Sequence, residues 1–231
     1  MPKNNGVIDS KFLHEAYHEV FTLRNNDFFN LLETKFYLQE FLFFSQEAYF
    51  FAKLSHTDED IAKELGLVSS LVYLSAKIHY FINNETKDGF AKKVQFPILL
   101  GDLLYGKVIE ILSRGVGSVY IDDYLAYLQR LNAVTVDYFA DKAAEKDVIC
   151  CRYSDLAVLT AKLLGAKNTK LAAEIGASLA LDTLYHSNSA LLAQLSAEES
   201  ELFMRTFHIK QDPKSIIVST ADLCQKILAE A

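Results

Sequence analysis

The chain has 231 residues, 51% of them hydrophobic and 23% charged, which is enough to bury a sizeable core and is ordinary for a globular protein. A net charge of −7 with no offsetting Lys/Arg cluster excludes a phosphate-tracking nucleic-acid binder. Three prolines and nine glycines are too few for the many turns of an all-β fold, and no apolar run approaches the roughly 20 residues that a membrane span needs.

Taken in chain order, apolar residues recur at steps of three and four almost everywhere, the signature of helices that bury one side. The spacing predicts helices near 9–25, 28–54, 58–84, 96–114, 118–145, 149–165, 168–195, 197–208 and 213–230. Breaks are expected at Asn25-Asn26, Ser55-His56-Thr57, Asp88-Gly89, Gly115-Val116-Gly117, Gly165-Ala166 and Gln211-Asp212-Pro213. No linker, repeat or low-complexity tract divides the chain, so residues 1–231 are expected to form one all-α domain.

His14-Glu15-Ala16-Tyr17-His18 matches H-E-x-x-H, in which two histidines one turn apart share a zinc ion and the glutamate acts as base. A peptidase of that kind also needs a third ligand and a substrate-aligning strand, and the sequence offers no convincing strand, so a solvated helix side is expected there. Phe28, Phe29, Phe36, Tyr37, Phe41, Phe43, Phe44, Tyr49, Phe50 and Phe51 fall on more than one side of a single segment. Such a helix is central in a bundle or is covered by another chain or a long hydrocarbon, and Phe43 and Phe44 are the candidates for that contact. Asp58-Glu59-Asp60 and Asp122-Asp123 stand at helix starts, where carboxylates face the positive end of the helix dipole. Ser196-Ala197-Glu198-Glu199 matches a capping box. Cys150, Cys151 and Cys224 are odd in number and lack metal-ligand spacing, which suits reduced cysteines in a cytoplasmic protein. The first residues, Met1 to Gly6, lead into no apolar signal segment. Nucleotide-binding and nucleophile-elbow motifs are absent from the sequence.

One resemblance remains. Leu67 to His79, the run Pro97-Ile98-Leu99-Leu100-Gly101-Asp102-Leu103-Leu104-Tyr105, and Ile175-Gly176-Ala177-Ser178-Leu179-Ala180-Leu181 occur in the order and spacing of three helices of an isoprenoid synthase core. The chain from about 67 to 192 thus resembles the trans-polyprenyl diphosphate synthase family. The resemblance implies an all-α, isoprenoid-synthase-like helical bundle, with its core at about 28–195 and C-terminal helices at 197–230. Pro97, Gly101, Asp102 and Tyr105 are the retained structural motif. In the family an Asp-Asp-x-x-Asp cluster follows the first of these helices and holds magnesium against an allylic diphosphate. The three aspartates align with Tyr80, Phe81 and Asn84, and the second cluster aligns near Ser187, Asn188 and Leu191, with no carboxylate. Magnesium wants near-octahedral oxygen ligands, normally including carboxylates.

What the resemblance implies is a chain without catalytic or metal-binding residues of its own. It is similar to the small subunit of a heterodimeric heptaprenyl or hexaprenyl diphosphate synthase, inactive alone. A catalytic large subunit would carry the magnesium, and elongation from farnesyl and isopentenyl diphosphates would serve a menaquinone side chain. Tyr80 and Phe81 would fill the former metal site or face hydrocarbon. A homodimer of the lone chain and a peripheral membrane contact stay open. A diverged stand-alone isoprenoid-binding or isoprenoid-converting protein, and a helical protein-interaction module, are the alternatives.

Overall fold

A computed structural model describes residues 35–85, 92–180 and 193–207. Helix α1 runs Lys35–Ser55, α2 Glu59–Glu85 and α3 Lys92–Arg114. A 3-10 turn, Val116–Tyr120, leads into α4, Ile121–Phe139. Helix α5, Glu145–Cys150, continues through a π turn at Cys151–Asp155 into α6, Leu156–Leu163. Helices α7, Thr169–Ala180, and α8, Ala197–Thr206, complete the described elements, among which there is no strand. The all-α expectation holds, and no described helix is long and apolar enough to cross a membrane.

The ends of these helices follow from local chemistry. Asp58 Oδ1 accepts from the Asp60 N–H at 2.8 Å, and Asp122 and Asp123 lie in the first turn of α4, so both acidic pairs act at helix starts. At Ser196 the reciprocal box forms: its hydroxyl accepts from the Glu199 N–H at 3.2 Å, and its own N–H donates to Glu199 Oε2 at 2.7 Å. Helix α1 ends at His56, whose φ of +55° is left-handed and lets the Thr57 N–H reach back to the Ala52 carbonyl at 2.9 Å. Gly165, at φ +79°, ends α6 in the same manner. The two ends are tied together, because the Thr57 hydroxyl donates to the Leu164 carbonyl at 2.6 Å.

Three boundaries differ from expectation. Pro97 does not open α3 but is its sixth residue, so the Lys93 carbonyl lacks its usual N–H partner one turn on. Helix α4 stops at Phe139, short of the expected 145, where Asp141 turns left-handed at φ +56°. The next helix then starts early, at Glu145, because Asp147 Oδ2 accepts from the Ala144 N–H at 3.0 Å.

The core sits between α1 and α2. Phe44 packs on Phe43 and Tyr73, Phe43 on Phe207, and Phe50 on Phe51, Phe203 and Phe207, with ring centroids 5.1–6.2 Å apart. This lattice seats α8 against α1, and edge and tilted ring contacts of that kind add roughly 0.5–1.5 kcal/mol each beyond area burial. Gly66 lets α2 approach α1 closely, since a Cβ there would lie 3.0 Å from Ser45 Cα and from Ala48 Cβ.

Candidate functional site

Gly101, Asp102 and Tyr105 meet His79 where α2 crosses α3. Gly101 presents bare backbone to the His79 imidazole: a Cβ there would lie 2.2 Å from His79 Nε2. Freed of that clash, Nε2 sits 3.3 Å from the Ile98 carbonyl oxygen and 3.5 Å from Asp102 Oδ1. The ring packs against Tyr105 at a centroid distance of 5.4 Å. One turn back on α2, the Ser75 hydroxyl donates to the Gly101 carbonyl at 2.7 Å and also bonds the Tyr105 hydroxyl. Burial pushes the Tyr105 phenol up from its ordinary value, the Ser75 bond and the Arg152 charge pull it down, and Asp102 adds to the rise. Gly101, Asp102 and Tyr105 thus act together as a seat for His79.

Deeper in the bundle, α2 carries a polar seam. The Ser69 hydroxyl bonds Tyr124 at 2.8 Å and Thr160 at 2.6 Å, linking α2 to α4 and α6. Tyr124 also donates to the Leu65 carbonyl at 3.3 Å, and burial drives its phenol far above the ordinary range. One turn on, the Tyr73 and Tyr153 hydroxyls meet at 2.8 Å. Tyr153 and the buried Arg152 are turned inward by the π turn, a device common at functional sites. On the far side of that turn, Gly176 of α7 approaches so closely that a Cβ would lie 2.6 Å from the Tyr153 carbonyl oxygen. Tyr127 donates to the Cys151 carbonyl at 3.0 Å, and burial pushes the Cys151 thiol up to about 11, so it is no nucleophile at neutral pH.

Tyr80, Phe81 and Asn84 belong to the last turns of α2, directly after His79. Ser187, Asn188 and Leu191 lie outside the described residues, as do His14, Glu15 and His18. Phe43 and Phe44 are enclosed by the chain's own aromatic rings, against Phe207 and Tyr73. Among the described residues no three His, Cys, Asp or Glu side chains converge as a metal site. One imidazole and one carboxylate, His79 and Asp102, do not fit a hard cation that needs several oxygen donors.

Comparison with protein-family models, with curated proteins and with solved structures finds no match to this chain. The functional reading therefore rests on the residues themselves. Sequence reasoning missed the seam of Ser69, Tyr124, Thr160, Tyr73 and Tyr153, although Ser69, Tyr73 and Lys77 at steps of four were a legible stripe. It also missed α3 as a surface element. Its inward residues Leu100, Leu104, Val108 and Leu112 are buried. Its other side exposes Leu99 at 66%, Leu103 at 48%, Ile98 at 41% and Ile109 at 36%. Gly106 lies on that same side with nothing within 4 Å of a Cβ.

Proposed function

We propose that this chain is the non-catalytic small subunit of a heterodimeric long-chain trans-polyprenyl diphosphate synthase, and that it acts by docking a larger, catalytic chain. The observation that carries this reading is the end of α2. There the motif Gly101-Asp102-Tyr105 receives His79, while Tyr80, Phe81 and Asn84 stand where the family resemblance expects the metal-binding aspartates. The scaffold half of the motif is kept and the carboxylate half is replaced. The apolar outer side of α3 supports the docking role, because a run of exposed Ile and Leu on one helix is the composition of an interface core. The partner would supply both aspartate clusters, the magnesium and the allylic diphosphate site. This chain would complete the dimer that elongates the product.

The test is reconstitution. Co-expressed with a chain bearing two Asp-Asp-x-x-Asp motifs, the protein is expected to co-purify as a stable complex and to support magnesium-dependent elongation of farnesyl diphosphate. Alone it is expected to be inactive. Leu99→Glu with Leu103→Glu is expected to abolish co-purification while leaving helicity unchanged. Substantial turnover by the isolated chain refutes the proposal. A second reading, a helical interaction module unrelated to prenyl transfer, draws on the same exposed side of α3. A tight complex with a chain lacking aspartate clusters would favour it.

A further inference from the structure

Glu47 lies in the second half of α1 with 0% of its surface exposed, and neither carboxyl oxygen has a hydrogen-bond partner. An orphan carboxyl at this depth is unusual, since buried polar groups are almost always bonded. Burial alone acts on its acidity and holds it well above the ordinary carboxylate range. Most polar groups on the surrounding helices have partners of their own, whereas the buried Thr206 hydroxyl has none. From α4, Tyr124 is the titratable neighbour that senses Glu47, and its hydroxyl serves Ser69 and the Leu65 carbonyl. From α2, Ser70 bonds Ser45 and the Gly66 carbonyl, and the Lys77 ammonium lies 5.7 Å from the Tyr73 ring. From α6, Thr160 bonds Ser69 and the Leu156 carbonyl. From α8, Thr206 is buried, and Arg205 pairs with Glu201 at the surface.

We propose that Glu47 is a proton-dependent latch: α1 seats in the core with this carboxyl protonated, and loss of the proton loosens α1 from α2 and α8. The physical reason is desolvation. A fully buried carboxylate bonded to neither a cation nor a donor is strongly disfavoured, so ionisation drives the helix to open towards water. The sign follows from linkage. The folded-state pKa lies above the unfolded one, so the opening equilibrium is constant below the unfolded value, near 4.5. It then rises as pH climbs towards the folded value, by about tenfold per pH unit. This inference does not depend on the prenyl synthase reading.

The test is amide hydrogen exchange of α1 in the full chain, corrected for intrinsic rates, at increasing pH from the unfolded value towards the folded one. Opening of α1 is expected to increase about tenfold per unit in the natural protein. In Glu47→Gln, an uncharged near-isostere, it is expected to be independent of pH. Should Glu47→Gln not fold, Glu47→Met removes the titrating group and is expected to give the same flat profile. A natural protein with no pH slope, or a variant that keeps the slope, overturns the proposal.

Discussion

Replacing Gly101 by alanine tests the seat for His79 more sharply than any deletion would. The three atoms nearest an added Cβ all belong to that ring, at 2.2, 2.5 and 2.7 Å, so the imidazole must swing out. It then loses its approach to the Ile98 carbonyl, worth about 1 kcal/mol, and its contact with Tyr105, worth roughly 0.5–1.5 kcal/mol. The Asp102 pair is half in water and adds at most a few tenths, say about 0.3 kcal/mol. Against this, alanine gains about 0.5–1 kcal/mol over glycine inside a helix. The net expectation for Gly101→Ala is a loss of about 1–2 kcal/mol, measured as a shift in urea midpoint at unchanged slope. In a His79→Ala background the space is vacant and only the propensity term remains. The same substitution should then stabilise by about 0.5–1 kcal/mol, a reversal of sign that a double-mutant cycle resolves. If Gly101→Ala destabilises equally with and without His79, the ring is not what requires the glycine.

Gly176→Ala should be worse than Gly101→Ala, because its Cβ meets the Tyr153 carbonyl at 2.6 Å and Ser154 Cα at 2.9 Å, which are backbone atoms that cannot swing aside. A loss of about 2–3 kcal/mol in chemical denaturation is expected. Glu64→Ala removes the acceptor of the Val116 and Gly117 N–H groups, each bonded at 2.8 Å, and should cost about 1–3 kcal/mol and frees the turn between α3 and α4 to hydrogen exchange. Glu64→Gln, which keeps one acceptor oxygen, should recover part of that loss. Thiol alkylation should separate the adjacent cysteines, the exposed Cys150 reacting readily and the buried Cys151 slowly until pH nears its value of about 11. Equal labelling at neutral pH would show that α5 and the π turn open freely.

Much of this architecture is readable from the residues one at a time. Asp58 and Ser196 mark helix starts because their side chains accept from local N–H groups, and Asp122 does so because a first-turn carboxylate faces the helix dipole; local interactions of this kind are written in local sequence. Pro97 misleads for the same reason. A proline is a good first residue, yet Lys92–Phe96 extend the helix ahead of it. The π turn at Cys151–Asp155 has no sequence signal; it is explained by Gly176 across the gap, whose missing side chain admits the Tyr153 carbonyl. At the candidate site, Gly101 and Asp102 are legible as a motif, but their purpose requires knowing that His79 lies opposite. Glu47 reads as one charge among several in an aromatic helix. Its complete enclosure depends on how α1 rotates against α2, α6 and α8, which no periodicity in α1 alone fixes.

The bond from the Thr57 hydroxyl to the Leu164 carbonyl joins residues 107 positions apart. Neither terminus of that clasp can be completed during synthesis until the ribosome has released the second one. A nascent chain truncated before Leu164 would therefore hold α1 and α2 with an unfinished corner, and their final registration would be a late event, governed by topology more than by local helix strength.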